Sequence, residues 1–431
     1  NTLIIYIHSD NGPSAEGIRG TISEMLSLNS MKSTIDQQIE VLNKDYGGID
    51  ALGGPKLENM YHASWANGGA TPFQGTKLVA AYLGGTRTPL VISWPAKIKH
   101  DGKVRSQFHH VNDIAATIYD ILDITPPKVV NGIEQQPLDG ISMVYTFDNP
   151  EAKTTKTTQY FEIIGSRGVY HEGWFAGTFG PRTPWSDGMA GILDWKPEND
   201  VWELYNLEED YSQSKDLAKE NPEKLAELKA VFDKEATENL VYPIGAGLYG
   251  MYYDTTALPS FPYTEWSFYE GQTRIPEEMA PKFISGRSTL AVIDAEMPKD
   301  AEGVLFVLGG TSSGFTVYMD KGVLHAEYNA MTLNRYKFSS KTPIPTGKVK
   351  IEVETKYDSK EREAPATLTL KVNGKQVAQG RIERSVPGSH TVSDTFDIGM
   401  DANAPVSLDY YDRAPFKFNG KIEKVYIKYI D

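Results

Sequence analysis

The sequence predicts an α/β domain followed by an all-β sandwich. Two patterns carry this. In the first 125 residues, short apolar runs at 2–8 and 88–95 alternate with helix-compatible stretches at 73–83 and 111–122, the rhythm of an α/β fold. From residue 290 onward, turns punctuate one short strand run after another with no helical period, which reads as a sandwich. The composition agrees with a globular chain: 431 residues, 40% hydrophobic and 23% charged, long enough for two or three domains.

The run TLIIYIH at 2–8 has no polar alternation, so it reads as a strand buried on both faces of a parallel sheet. It stops at Ser9-Asp10-Asn11-Gly12-Pro13. In such sheets chemistry sits just beyond the carboxyl ends of the strands, where Asp10 and Asn11 fall. A plain turn is the competing reading of Asp-Asn-Gly. Residues 14–60 are mostly glycine-containing loop. Thr71-Pro72 resembles a helix start with proline in the first turn, giving a helix over 73–83 that carries Lys77 and ends at Gly84-Gly85. An ammonium near a helix amino terminus suits an anion, and a solvated surface lysine is the alternative. Val111, Ile114, Ile118, Ile121 and Leu122 recur at helical spacing and predict a helix with a core-facing stripe.

Short β runs at 159–163, 168–170, 174–176 and 202–207 predict a small antiparallel sheet, followed by a helix from Pro222 to about Glu238 with Leu225, Leu228, Phe232 and Ala236 on one face. The domain division expected is 1–240, a Gly/Tyr/Pro-rich connector at 241–265, and a sandwich at 266–431. Within the sandwich, Asn373-Gly374 marks a two-residue hairpin, and Tyr328, Tyr410 and Tyr411 are either sugar-stacking rings or packing residues.

Charge and cysteine content remove several functions. A net charge of −14 gives no positive field for a phosphate backbone. The absence of cysteine removes disulfides, thiolate metal sites and a thiol nucleophile together. No apolar run reaches the length of a membrane helix, and the first residues lack the regions of a signal peptide. Asp10 and Asn11 offer a carboxylate beside an amide oxygen, ligands that suit Ca²⁺ or Mg²⁺ better than zinc, but calcium takes about 6–8 oxygens. His109-His110 and His8 do not converge by sequence spacing on one metal site.

Six segments occur in a shared order: Ser9-Asp10-Asn11-Gly12; Pro72-Phe73-Gln74-Gly75-Thr76-Lys77; Gly84-Gly85-Thr86-Arg87; Ile92-Ser93-Trp94-Pro95; Phe108-His109-His110-Val111-Asn112-Asp113-Ile114; and Trp202-Glu203-Leu204-Tyr205-Asn206-Leu207. In this order the chain resembles type I, formylglycine-dependent sulfatases of the arylsulfatase kind, and the tail resembles the lectin-like jelly-roll sandwich of one bacterial subgroup. The resemblance implies the carboxyl-terminal part of an alkaline-phosphatase-like fold acting on sulfate esters, with export from the cytoplasm. It implies Asp10 and Asn11 as Ca²⁺ ligands and Lys77 as a contact to the substrate sulfate. It further implies a formylglycine nucleophile, made within Cys/Ser-x-Pro/Ala-x-Arg, and this chain has no such pattern. The nearest match, Ser93-Trp94-Pro95-Ala96-Lys97, ends in lysine and falls in the family's own Trp-Pro strand segment. The expectation is therefore that the nucleophile belongs to a part of the same protein preceding Asn1, and that this chain alone is inactive. Two other readings stay open: a phosphatase or phosphodiesterase of the same superfamily, and a non-catalytic carbohydrate-binding or structural protein acting through the sandwich.

Overall fold

The computed structural model describes residues 2–99, 101–186, 195–244 and 263–430. It divides into two compact units, one of Asn1–Ala15 with Ser64–Leu258, the other of Glu16–Ala63 with Pro259–Asp431. Glu16–Ala63 thus groups with the carboxyl-terminal residues, where the sequence reading runs 1–240 together. Most of the connector at 241–265 lies outside the described residues.

In the first unit, strand β1 (Ile4–Ile7) pairs with β2 (Leu90–Ser93), and β3 (Val129–Val130) pairs with β4 (Ile133–Glu134). Strands β5 (Thr158–Ile163), β6 (Ser166–His171), β7 (Trp174–Thr178) and β8 (Glu203–Asn206) form an antiparallel sheet in sequence order. A 17-residue helix, Pro222–Glu238, covers this sheet. Leu228, Phe232 and Ala236 recur at i, i+4 and i+8, so one stripe of the helix meets Val169, Ala176, Trp202 and Leu204. Trp202 packs edge-on to Phe232, with ring centroids 5.5 Å apart. The small sheet and its helix follow the sequence expectation because each has its own period and its own turns.

Three expectations fail in this unit. The run at 2–8 is not buried in a parallel sheet: β1 pairs antiparallel with β2, with Ile4 opposite Ser93 and Ile7 opposite Leu90, and Tyr6 and Val91 are 58% and 59% exposed. An apolar run permits burial but does not impose it, and no element of the described residues stacks on both faces of this ribbon. Residues 73–83 are not a helix. Helical residues lie instead at Ala63–Ala70 and Leu83–Thr86. Between them Gly75 and Leu78 take left-handed φ values of 78° and 71°, and the amides of Lys77 and Gly84 are spent on Pro13 O and Gln74 O rather than on a helical ladder. The helix at Asp113–Ile121 forms, but its apolar stripe is not core: Val111 and Leu122 are exposed, and Asp113 and Thr117 are the buried pair.

In the second unit two six-stranded antiparallel sheets enclose one hydrophobic cluster. The first has the order β10-β19-β12-β13-β14-β15, built from β10 (Ile275–Pro276), β12 (Gly303–Gly309), β13 (Gly314–Asp320), β14 (Val323–Ala330), β15 (Asn334–Ser339) and β19 (Thr395–Ile398). The second has the order β18-β17-β16-β11-β20-β9, from β9 (Glu265–Phe268), β11 (Thr289–Met297), β16 (Gly347–Tyr357), β17 (Ala366–Val372), β18 (Lys375–Ile382) and β20 (Lys421–Tyr429). Alternation sets the faces: Val349, Ile351, Val353, Thr355 and Tyr357 are buried, with more exposed residues between them. Asn373 and Gly374, with φ of 48° and 77°, make the expected hairpin between β17 and β18.

Glu16–Ala63 completes this unit. Ile22, Met25, Leu26, Met31, Leu42 and Leu57 join its core, and Asn29 donates from Nδ2 to Ser389 O at 2.8 Å while its carbonyl accepts from Arg362 at 2.7 Å. Tyr328 and Tyr410 are fully buried, so neither can stack on a sugar. Their hydroxyls are also spent, on Phe283 O at 2.9 Å and on Asp401 at 2.8 Å. Tyr411 donates to Pro55 O at 2.6 Å and lies under the Lys56 ammonium.

Candidate active site

Asp10 and Asn11 follow β1 directly. The turn is held from both sides: His8 N–H donates to Pro89 O at 3.0 Å and Gly12 N–H donates to Gly85 O at 2.9 Å. Ser9 takes φ 75°, a region costly for a residue with a Cβ, and its Oγ donates to Asn11 O at 2.9 Å. Asn11 Nδ2 donates to Asp10 Oδ2 at 2.9 Å, so amide and carboxylate lie side by side.

Lys77 is brought to the same place from a different loop, its backbone N–H donating to Pro13 O at 3.0 Å. The approach depends on glycines. A Cβ on Gly12 would lie 1.8 Å from Gly84 O, and one on Gly85 would lie 2.0 Å from Val79 O. The Asp10-Asn11-Gly12, Gln74-to-Lys77 and Gly84-Gly85 segments, three of the ordered motifs, are therefore one backbone cluster. Leu78, next to Lys77, is the second non-glycine residue there with positive φ. Such conformations persist only where surrounding contacts fix them.

As a metal site the cluster offers two oxygen-bearing side chains whose chemistry suits a hard cation. Among the described residues no group of three or more His, Cys, Asp or Glu side chains could hold a metal ion. Nor does a formylglycine precursor fit. Ser93 pairs with Ile4 at the far end of the β1–β2 ribbon, three residue pairs from Leu90 and Ile7, which is about 10 Å along the strand from the Asp10 end.

The Phe108-to-Ile114 motif has a different role, which the sequence reading missed. The Asp113 carboxylate is fully buried and saturated: Oδ2 accepts from His109 Nδ1 at 2.9 Å and from His110 N at 2.9 Å, and Oδ1 accepts from Ile141 N at 3.0 Å and Lys156 Nζ at 2.9 Å. Tyr145 OH meets His109 Nε2 at 3.1 Å and accepts from Thr155 N–H. Burial pushes the Asp113 carboxyl up, but these donors outweigh it and hold it at about 2. Burial also draws the His110 imidazole down. This network ties the 109–113 turn to residues 139–156. It is architecture rather than chemistry, and the one available signal was an aspartate and a threonine at i and i+4 on the expected core face.

Residues 1–124 match the sulfatase family model. Over 236 residues the chain is 27% identical to an uncharacterized sulfatase of Schizosaccharomyces pombe, covering 53% of this chain and 36% of that protein. A solved structure from a glycosaminoglycan-metabolism locus of Bacteroides thetaiotaomicron is 22% identical with a TM-score of 0.35, over 55% of this chain and 39% of its own. Domains LG4–5 of the mouse laminin α1 chain are 11% identical with a TM-score of 0.27, over 39% of this chain and 42% of their own. The amino-terminal part of the chain is thus similar to sulfatases. The chain spans about a third of the length of the curated relative it matches.

Proposed function

We propose that this chain is the part of a sulfuric ester hydrolase, of the arylsulfatase kind, that supplies a substrate-sulfate lysine and part of a cation site. The observation that supports the reading is the backbone contact between the Asp10-to-Pro13 turn and the segments that carry Lys77 and Gly85, made by the Lys77 N–H···O Pro13 and Gly12 N–H···O Gly85 bonds. Asp10 and Asn11 would hold Ca²⁺, which when bound supplies positive charge opposite the sulfuryl oxygens. Lys77 presents a compact ammonium to the same oxygens, a fixed charge that stabilises the negative charge grown there as the ester bond breaks. The 431 residues hold no thiol and no nucleophile motif, so no step of sulfuryl transfer is assigned to them. The two six-stranded sheets are read as the lectin-like jelly roll of the family's tail.

Two measurements test this. Calorimetry on the chain is expected to give weak or absent Ca²⁺ binding, because two side chains supply few of the roughly 6–8 oxygens needed; tight binding that disappears in Asp10→Ala would contradict the expectation. An aryl sulfate assay is expected to show no turnover by the chain alone, and turnover like that of an intact sulfatase would overturn its inactivity.

A further inference from the structure

We infer that the groove beside edge strand β15 binds an extended, basic peptide, which adds to that strand as a seventh member of its sheet. The groove lies wholly within the second unit and has a volume of about 520 Å³, inside the range of about 300–1,000 Å³ that ligand sites span. One wall is helix Ile35–Val41 with the wider turn Leu42–Tyr46 that continues it, and the other is β15. β15 ends its sheet and pairs with β14 on one side only. Ser340 N–H donates to Leu324 O at 2.9 Å, so with Ala326 opposite Phe338 and Tyr328 opposite Tyr336 the bonded pairs are the even-numbered ones. Arg335 and Lys337 fall between them and turn their backbone N–H and C=O away from β14, to the open side. Both residues line the groove. An open row of backbone donors and acceptors is the surface to which extended peptides add as strands.

The walls are fixed in advance. Leu42 is buried in the core, and Thr34 and Gln37 cap the helix start with reciprocal bonds of 3.2 Å and 3.0 Å. Arg335, its side chain 6% exposed, joins the walls by donating to Tyr46 Oη at 2.9 Å and to Glu327 at 2.8 Å. A preformed groove spares the complex the entropy of ordering the protein. Charge then selects the peptide. The cations on the strand side are paired: Arg335 with Glu327, Lys337 with Asp409 at 2.6 Å, and Arg384 with Glu363. On the helix side Glu40 and Asp45 make no ion pair or side-chain hydrogen bond among the described residues, and Lys44 is the cation between them. The unpaired charge of the walls is therefore two carboxylates against one ammonium, which favours lysine or arginine on the incoming strand.

The test is an NMR titration of the whole chain with a short peptide alternating lysine and threonine, with anisotropy of the labelled peptide for affinity. Saturable binding is expected, with slowed exchange at the Arg335 and Lys337 amides and little change at Tyr336 and Phe338, whose amides already serve the ladder. Glu40→Gln combined with Asp45→Asn should weaken binding about tenfold, the worth of two surface charge pairs, without lowering the melting temperature, since neither carboxylate holds a partner in the fold. The same peptide N-methylated on alternate amides keeps its charge and loses its edge bonds, so it should not bind. The inference is overturned by an absence of saturable binding, by equal binding of the N-methylated peptide or of a glutamate–threonine peptide, or by protection that misses Arg335 and Lys337. Concentration-dependent dimers that the peptide fails to dissociate would also overturn it, since β15 would then pair with a second copy.

Discussion

Asp113→Ala is expected to destabilise the first unit by about 3–5 kcal/mol, the cost of breaking a buried ion pair from one side. The substitution leaves the Lys156 ammonium, 4% exposed, without its carboxylate, and it leaves the N–H groups of His110 and Ile141 and the His109 ring without their acceptor. Replacing both Asp113 and Lys156 with apolar residues should cost much less, because the large term is the orphaned charge and not the lost attraction. Chemical denaturation of the single and double variants separates these. The pH dependence has a fixed sign. The folded carboxyl is held at about 2, below its ordinary 3.8, so its contribution is whole above about pH 4 and is lost as the pH falls through about 2. Asp113→Asn should remove that component of acid sensitivity, and an unchanged acid profile in this variant would contradict the assignment.

Gly12→Ala should have the second large effect, and a local one. Its Cβ would sit 1.8 Å from one backbone oxygen and 2.9 Å from Gly85 Cα, and backbone cannot step aside as a side-chain tip can. Expelling the turn from its seat is expected to cost about 3 kcal/mol or more, at the upper end of overpacking effects. Hydrogen exchange reads this directly: protection of the Gly12 and Lys77 amides should fall by roughly a hundredfold, at 1.4 kcal/mol per tenfold. Strands of the second unit should keep theirs. Normal protection at Gly12 and Lys77 in the variant would show that the three motifs do not form one cluster.

What the sequence discloses and what it hides follow from the range of the forces involved. The helix Pro222–Glu238 and strands such as Thr395–Ile398 and Lys421–Tyr429 are legible because their periods and bounding turns are local. Burial is not local. The apolar run at 2–8 and the stripe from Val111 to Leu122 describe what could be buried, and their exposure depends on what stacks on them. The stretch 73–83 misleads for another reason: its proline and glycines serve a loop whose amides bond to Pro13 and Gln74, partners distant in sequence or out of helical register. The order of the motifs pointed to Asp10, Asn11 and Lys77. The glycine contacts that join them required three dimensions.

The most direct test of the central claim, that Lys77 and the Asp10-Asn11 turn form one sulfate-binding locus, is an NMR titration of the chain with 4-nitrophenyl sulfate, which reads even millimolar binding. The shifted amides are expected to concentrate at residues 10–13 and 74–85, and Lys77→Ala should weaken the affinity about tenfold or more. Shifts that avoid both segments, or an affinity that Lys77→Ala leaves untouched, would contradict it.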